Sequence, residues 1–280
     1  MYTINDLTQG VIQDDFIIVF SGGVDSTYLL LKAVETVKGK NKGNISVIYH
    51  NSNYINRKKA TMEEISISKI IDKIKKDYEI DISTITHNME IDFNMKCDMF
   101  DNDVDLILPQ SILWNSVVLS CLPAFGDANA NIVFGFTADD NLPAYSMNII
   151  KRNIEDSYNL LRFGNGTLNV ISPLITYNKN KIYKYMLNNY YDYFKLTWSC
   201  ECPNEIYANK FIECGKCNPC ITKANTINNI IGDISNNIPQ LYNKLDNRYI
   251  QKDYEQLIFK ELNDKEGICN AEDVGKAKER

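Results

Sequence analysis

The sequence predicts an α/β protein with a doubly wound parallel sheet, followed by a helical C-terminal region that carries four grouped cysteines. The first observation is an alternation of segment types along the chain. Strand-like apolar runs occupy residues 16–20, 45–50, 82–87 and 131–136. Helix-like segments occupy residues 27–37, 58–77, 111–122, 178–193 and 221–231. Strands that alternate with helices at this spacing favour a parallel sheet with helices on both faces.

The second observation is the position of polar residues after these strands. Ligands of doubly wound sheets bind beyond the carboxyl ends of the strands. The turn after Phe20, His50 after the second strand and residues 135–140 after the fourth all lie at such ends. The sequence therefore predicts that these three segments converge on one site.

The turn after the first strand reads F-S-G-G-V-D-S-T over residues 20–27, a segment called the glycine loop below. Gly22 and Gly23 permit a tight turn and close approach of the backbone to a ligand. The amides at the start of the following helix favour an anion, and Asp25 can help to hold a metal or the loop itself. The loop lacks the lysine of a Walker A motif. It predicts a polyphosphate site, against the alternative of a glycine turn that binds nothing.

Length, composition and charge narrow the class of protein. The chain has 280 residues, a hydrophobic fraction of 44% and a formal net charge of −6. An acidic balance argues against an extensive nucleic-acid surface. No apolar run approaches the roughly 18 residues of a membrane span, and the N-terminus has no signal-peptide pattern. We expect a cytoplasmic protein without a membrane segment.

The third observation is the cysteine group: Cys200, Cys214, Cys217 and Cys220. The last three have C-x-x-C-x-x-C spacing. Four thiolates at such spacing match a closed, tetrahedral structural Zn²⁺ site. An iron–sulfur cluster is the alternative metal, and Cys202 is the alternative to Cys200 as a ligand. The chain has only two histidines, which excludes a multi-histidine metal site.

Several single residues allow two interpretations. Asp139 and Asp140 follow a strand and either hold Mg²⁺ near a polyphosphate or cap a helix. His50 is either a base or adenylate contact, or a packed side chain. Trp114 either stacks on a substrate or belongs to the core, and Lys179 either neutralises phosphate or is an ordinary surface lysine.

The S-G-G-x-D-S pattern resembles the PP-loop of the N-type ATP pyrophosphatases, which have an adenine nucleotide alpha hydrolase-like fold. Combined with T-W-S-C at residues 197–200 and the other three cysteines, it resembles the 7-cyano-7-deazaguanine synthase (QueC) family. The segment S-P-L-I at residues 172–175, followed by Asn178 and Lys179, is also similar to that family. The resemblance covers about residues 16–225.

The resemblance implies that 7-carboxy-7-deazaguanine, ammonia and ATP are converted with Mg²⁺ to the nitrile preQ0, and that AMP and pyrophosphate are released. It implies an ATP-pyrophosphatase domain over residues 1–175, a zinc-bearing helical region over residues 176–280, and a homodimer. The implied catalytic residues are Ser21, Asp25, Ser26 and Asp140. The implied nucleotide-binding residues are Phe20, Ser21, Gly22, Gly23, Val24, Asp25, Ser26, Thr27, His50, Asn115 and Gly135.

The sequence departs from this family where the substrate should lie. Trp114 stands where the family has an arginine, although Asn115 is retained, and the segment 140–145 lacks the family's polar pattern. These departures leave three further interpretations open. In the first, the chain is a ligase that joins a deazaguanine acid to another amine, for example on a partner protein in a phage-defence or nucleic-acid-modification system. In the second, it is an enzyme of tRNA thiolation or lysidine formation. In the third, it is a nucleotide-binding regulator whose active site has decayed.

Overall fold

A computed structural model describes residues 11–51, 57–88, 110–161, 166–207 and 210–237. The strands are β1 (Asp15–Val19), β2 (Ile45–Asn51), β3 (Ile82–Asn88), β4 (Asn129–Val133), β5 (Thr167–Ile171), β6 (Asn204–Tyr207) and β7 (Lys210–Ile212). The helices are α1 (Val24–Lys40), α2 (Arg57–Tyr78), α3 (Gln110–Phe125), α4 (Asn141–Leu160), α5 (Lys179–Asn189), α6 (Tyr191–Phe194) and α7 (Asn218–Asn237).

Five strands form a sheet of order β3-β2-β1-β4-β5, and every described pair in it is parallel. β1 lies in the middle, with β2 on one side and β4 on the other. The chain therefore reverses its direction of travel across the sheet between β1 and β4, which is the point where such sheets bind ligands. The predicted α/β fold with a parallel sheet is confirmed.

The core forms because apolar residues of the strands meet apolar faces of the helices. Phe16 and Ile18 of β1 are almost fully buried, as are Leu29, Leu30 and Leu31 of α1. Three consecutive buried leucines mean that α1 is enclosed on more than one side. Its N-terminus, which begins at the glycine loop, is consequently held in a fixed position relative to the sheet.

Four elements of this fold were absent from the sequence prediction. The helix α4 carries Met147, Ile150, Ile154 and Tyr158, all buried at helical spacing. The edge strand β5 and the short antiparallel pair of β6 and β7 were also missed. The prediction that the fourth strand runs from residue 131 to 136 is wrong, because β4 ends at Val133 and Gly135 then approaches α1.

The chain divides into two compact units, one up to Trp198 and one from Ser199 onwards. The first unit contains the five-stranded sheet with α1 to α6, and the second contains β6, β7 and α7. The functional boundary at residue 175 stays a prediction, and residues 238–280 of the predicted C-terminal region lie outside the described residues. Among the described helices, none is both long and apolar enough to cross a bilayer.

Candidate functional site

The glycine loop turns sharply at Gly22, which has a φ of 73°. A Cβ atom there would lie 3.1 Å from Oγ of Ser66 on α2, so the position is both left-handed and crowded. The Gly22 carbonyl accepts hydrogen bonds from the Ser66 hydroxyl and from the backbone amide of Trp198. These two contacts fix the orientation of the turn from outside the loop.

The serine hydroxyls of the glycine loop form several long hydrogen bonds within the loop. The Oγ atoms of Ser21 and Ser26 lie 3.3 Å apart. The Ser26 hydroxyl also donates to the carbonyl of Gly23 at 3.2 Å, and the Gly23 amide donates to Ser21 Oγ at 3.4 Å. Bonds of this length are weak, and an anion in the loop can replace them at little cost.

The first turn of α1 leaves polar groups for a ligand. Gly23 is the N-cap residue and provides no side-chain cap, so the first amides of the helix have no acceptor from it. Within the described residues, Oδ1 of Asp25 and Oγ1 of Thr27 are buried without a hydrogen-bond partner. Buried polar atoms of native proteins are nearly always paired. The amides and the hydroxyl can therefore donate hydrogen bonds to a polyphosphate, and the carboxylate can bind its Mg²⁺.

The segment after β4 lies directly against this loop. A Cβ atom on Gly135 would lie 3.5 Å from the backbone nitrogen of Ser26. A Cβ atom at this distance makes an ordinary van der Waals contact, so the value shows that the two backbones are neighbours. The structure thus brings Gly135 and the first turn of α1 to the same place at the carboxyl edge of the sheet.

Asp139, Asp140 and Lys179 form a charged group beside the loop. Asp140 accepts hydrogen bonds from the amide and the hydroxyl of Thr137, each at 2.9 Å, and pairs with Lys179 Nζ at 3.2 Å. Asp139 accepts a bond from the backbone amide of Lys179 at 2.6 Å. Asp140 occupies the N-cap position of α4, but its carboxylate makes no capping hydrogen bond. Its partners are Thr137 and Lys179 instead.

Asp25 is electrostatically coupled to that charged group. Burial raises the pKa of Asp25 to about 7, the ammonium of Lys179 opposes the rise, and the carboxylates of Asp140 and Asp139 add to it. Burial acts to lower the pKa of Lys179, but Asp25 and Asp140 outweigh it, and the pKa stays above its ordinary value. A buried carboxylate beside a charged lysine is typical of functional sites.

His50 lies at the carboxyl end of β2 and is 3% exposed. Its Nδ1 atom lies 3.0 Å from Nδ1 of His87, the residue beside it on β3. Its ring and that of Trp114 on α3 are nearly perpendicular, with 6.2 Å between the ring centroids. Trp114 packs against the main hydrophobic core, as its core interpretation predicts. Asn115, the next residue, has a buried Oδ1 atom for which the described residues supply no partner.

The four thiols of the cysteine group lie together in the second unit, with all their Sγ atoms within 4.8 Å of one another. Gly215 has a φ of 69°, which lets the chain turn tightly between Cys214 and Cys217. The Cys217 amide donates to Cys214 Sγ at 3.2 Å, and the Cys214 amide donates to Cys200 Sγ at 3.1 Å. Such bonds stabilise thiolates, so the group fits a metal ion. Cys202 is exposed and lies outside this group.

A buried ion pair lies next to the cysteine group. Glu213 is 2% exposed, and both its carboxylate oxygens contact Nζ of Lys223, at 3.1 and 3.2 Å. It also accepts a hydrogen bond from the amide of Ser199. The pair therefore ties α7 to the segments that carry the first two cysteines.

Sequence reasoning missed several residues that the structure brings to these sites. Ser66 has no motif around it, and nothing in the sequence marks its contact with Gly22. Glu213 and Lys223 are ten residues apart and resemble ordinary surface charges. His87 had a usable signal, because it occupies the same position in its predicted strand, 82–87, as His50 does in 45–50.

Three comparisons with known proteins bear on this chain. Residues 15–231 match the family model described as Queuosine biosynthesis protein QueC. No curated protein sequence matches the chain. One similar solved structure is the U34-tRNA thiolase NcsA from Methanococcus maripaludis with its [4Fe-4S] cluster, at 15% identity and a TM-score of 0.44 over 91% of this chain and 77% of that one. A similarity this weak says nothing about the substrate or metal of this chain.

Proposed function

Since the chain belongs to the family of the queuosine biosynthesis protein QueC, we propose that it is an ATP-dependent enzyme that adenylates a carboxylate. The proposed acid is 7-carboxy-7-deazaguanine, and the proposed products are AMP, pyrophosphate and an amide or the nitrile preQ0. A carboxylate becomes a good electrophile only when one of its oxygens is part of a leaving group, and the adenylate supplies that leaving group. The family resemblance further leads us to propose a cytoplasmic homodimer.

One observation carries the proposal: the unpartnered acceptors at the start of α1. Asp25 and Thr27 have buried oxygen atoms that lack partners among the described residues, next to a glycine turn at a helix N-terminus. The amides of this turn would bind the β and γ phosphates. Lys179 would neutralise charge on the departing pyrophosphate, since its ammonium lies beside Asp140 and acts on Asp25.

Asp25 and Asp140 are the residues that would hold Mg²⁺, because carboxylate oxygens are its preferred protein ligands. When bound, the ion offsets the charge that develops on pyrophosphate. Asp140 is already oriented for this role, since Thr137 fixes one of its oxygens with two hydrogen bonds. The chain must also keep water away from the adenylate. The buried carboxyl ends of the strands would contribute to this.

Zinc is the metal we propose for the cysteine group. In a tetrahedral site with Zn–S bonds of about 2.3 Å, neighbouring sulfur atoms lie about 3.8 Å apart. The Sγ atoms of Cys200 and Cys217 are 3.9 Å apart, and all four are within 4.8 Å. An iron–sulfur cluster places several iron and sulfide atoms between the thiolates and requires them to be farther apart. The spacing of the thiols therefore favours a single ion.

A second candidate function differs in the nucleophile. Trp114 borders His50 where the resemblance expects an arginine. A site that loses a hydrogen-bonding group no longer discriminates by that bond. The alternative is therefore a ligase that joins the adenylated acid to an amine other than ammonia, for example on a partner protein. The decayed regulator is disfavoured because the glycine loop keeps Ser21, Asp25 and Ser26.

The test uses purified protein with ATP, Mg²⁺, 7-carboxy-7-deazaguanine and ammonia, and mass spectrometry of the products. Nitrile or amide together with AMP supports the first candidate. Adenylate that forms but does not react with ammonia supports the second, and the chain's own amine acceptor is then sought by its mass increase. ADP as the nucleotide product, or no acid-dependent turnover, would contradict both. Asp25→Asn is the inactive control, and Gly39→Ala, on the exposed end of α1, is the active one.

A further inference from the structure

The two histidines of the chain form a pair to which the proposed function gives no role. His50 and His87 occupy matching positions on the parallel strands β2 and β3. Their Nδ1 atoms are 3.0 Å apart, which is a hydrogen-bond distance. A bond between two such nitrogens requires one ring to donate a proton and the other to accept it.

The tautomers of the two rings are therefore linked. In a neutral imidazole one ring nitrogen carries a proton and the other accepts one. The ring that donates from Nδ1 has an accepting Nε2, whereas the ring that accepts at Nδ1 carries its proton on Nε2. The pair thus has one accepting end and one donating end. A proton that binds at the first end releases a different proton at the second.

The accepting end of this pair can face the glycine loop. β2 lies between β3 and β1, and the amide of Phe20 donates to the carbonyl of Ile48 at 2.8 Å. His50 is two residues beyond Ile48, and adjacent strands are about 4.8 Å apart, so His50 lies beside the start of the loop. Since the two ring nitrogens of an imidazole point in nearly opposite directions, Nε2 of His50 is directed away from the ring of His87.

Burial differs between the two ends of the pair. His50 is 3% exposed, whereas His87 is half-buried on β3, an edge strand of the sheet. One end of the pair is thus enclosed next to the candidate nucleotide site, and the other lies nearer to solvent. The end of the pair at His87 is therefore the one that can exchange protons with water.

The surroundings of both rings favour their neutral forms. Burial lowers the pKa of His50 to about 4; the charges of His87 and of Lys59 on α2 lower it further, and a hydrogen bond with the backbone of His87 opposes them. Burial also lowers the pKa of His87. On the side of α3 the neighbour is the uncharged ring of Trp114. A neutral pair can transfer a proton in a concerted way without holding an additional one.

We propose that His50 and His87 form a proton relay that carries a proton from the attacking amine to solvent. The proposal rests on the proposed function. The amine nitrogen bonds to the acyl carbon of the adenylate, the bond from that carbon to the AMP oxygen breaks, and AMP leaves with the electron pair. The amine proton binds Nε2 of His50, the Nδ1 proton of His50 moves to Nδ1 of His87, and the Nε2 proton of His87 passes to water. Exchange with water after product release restores the starting tautomers.

The first test separates the two half-reactions. Acid-dependent exchange of pyrophosphate into ATP reports adenylation, which needs no amine, and single-turnover amide formation reports the step that does. His87→Gln keeps a hydrogen-bonding partner for His50 but cannot relay by tautomerism. In this variant we expect the rate of pyrophosphate exchange to stay within about twofold of the wild-type rate. Amide formation should slow on the order of a hundredfold, and added imidazole should restore part of it. Thr86→Ala, on the opposite and exposed face of β3, should change neither.

Equal losses in both half-reactions, or no loss in either, would overturn the relay. Wild-type protein without acid-dependent exchange would instead overturn the proposed function, so the two failures are distinguishable. The second test is ¹⁵N NMR of histidine-labelled protein, in which only two imidazoles contribute. We expect one Nδ1–H and one Nε2–H tautomer, with both rings neutral at pH 7. Two rings of the same tautomer that titrate independently near 6.5 would refute the pair.

Discussion

The glycine loop and the cysteine group are both built from polar side chains on tight turns, but they differ in what the folded chain leaves unsatisfied. In the loop, buried oxygens of Asp25 and Thr27 have no partner among the described residues. In the cysteine group, the thiols contact one another and receive backbone hydrogen bonds. Unpaired buried acceptors cost stability and are retained where a ligand supplies the missing partners. The glycine loop is therefore suited to a substrate that binds, reacts and is released, and the cysteine group to a metal ion that remains bound.

The comparison predicts that loss of metal has the largest effect on stability. Structural zinc sites contribute on the order of 10 kcal/mol of apparent binding free energy. Cys217→Ser, or treatment with a strong chelator, should therefore unfold the second unit, as measured by limited proteolysis and chemical denaturation. The turnover number of the protein that remains folded should change little.

Cys202→Ser is the matched control, because Cys202 is exposed and lies outside the cysteine group. Elemental analysis should give about one zinc per chain. Less than half an equivalent, or the absorption of an iron–sulfur cluster, would show that the assignment to zinc is wrong.

Asp25→Asn should have opposite effects on stability and turnover. The folded-state pKa of Asp25 is about 7, against an ordinary value of 3.8. The folded state thus binds more protons than the unfolded state between these values, and stability falls as pH rises through this window. At pH 8 the ligand-free variant should be more stable by about 4 kcal/mol. Its ATP turnover should fall about a hundredfold, or about 3 kcal/mol of transition-state stabilisation.

The measurement is urea denaturation of both proteins from pH 4 to pH 8 without nucleotide. The difference in unfolding free energy should vanish near pH 4, where Asp25 is protonated in the native state. A difference that is constant with pH would mean that ionisation of Asp25 is not its cause.

Glu213→Gln tests whether the support of the cysteine group is structural. Removal of one partner from a buried ion pair leaves the other charge uncompensated, which costs about 3 kcal/mol or more. We expect the variant to lose stability and zinc affinity, while acid-dependent pyrophosphate exchange is unchanged in the folded fraction. Glu213→Gln combined with Lys223→Met should recover part of the loss. A double variant as unstable as the sum of the single ones would contradict this coupling.

Two glycines of the first unit give the smallest and most local comparison. Gly22→Ala places a methyl group 3.1 Å from Ser66 Oγ at a φ of 73°. It should lower the free energy of unfolding by about 1–2 kcal/mol, and it should also weaken ATP binding. Gly39→Ala near the end of α1 meets nothing within 4 Å and should raise stability by about 0.5–1 kcal/mol. Thermal unfolding measures both, and a Gly22→Ala protein as stable as wild type would mean that the loop is not held rigidly.

Prediction from the sequence succeeded where structure depends on neighbours along the chain. The strand before the glycine loop and the helix after it follow from local hydrophobic patterns. The helix α4 had the same kind of signal in Met147, Ile150, Ile154 and Tyr158, but the sequence prediction did not include it. The end of β4 at Val133 was not predicted, because the apolar run continues to Phe136 and so carries no local stop signal.

The sequence by itself determined the first three strands and the helices that follow them, the glycine loop as a candidate phosphate site, and the cysteine spacing, since each depends on residues a few positions apart. Only the tertiary structure decided that Lys179 lies beside Asp140 and acts on Asp25, and that His50 bonds to His87. These partners are separated by 37 residues or more in the chain. Contacts over such distances arise from strand order and helix packing, which a local pattern does not encode.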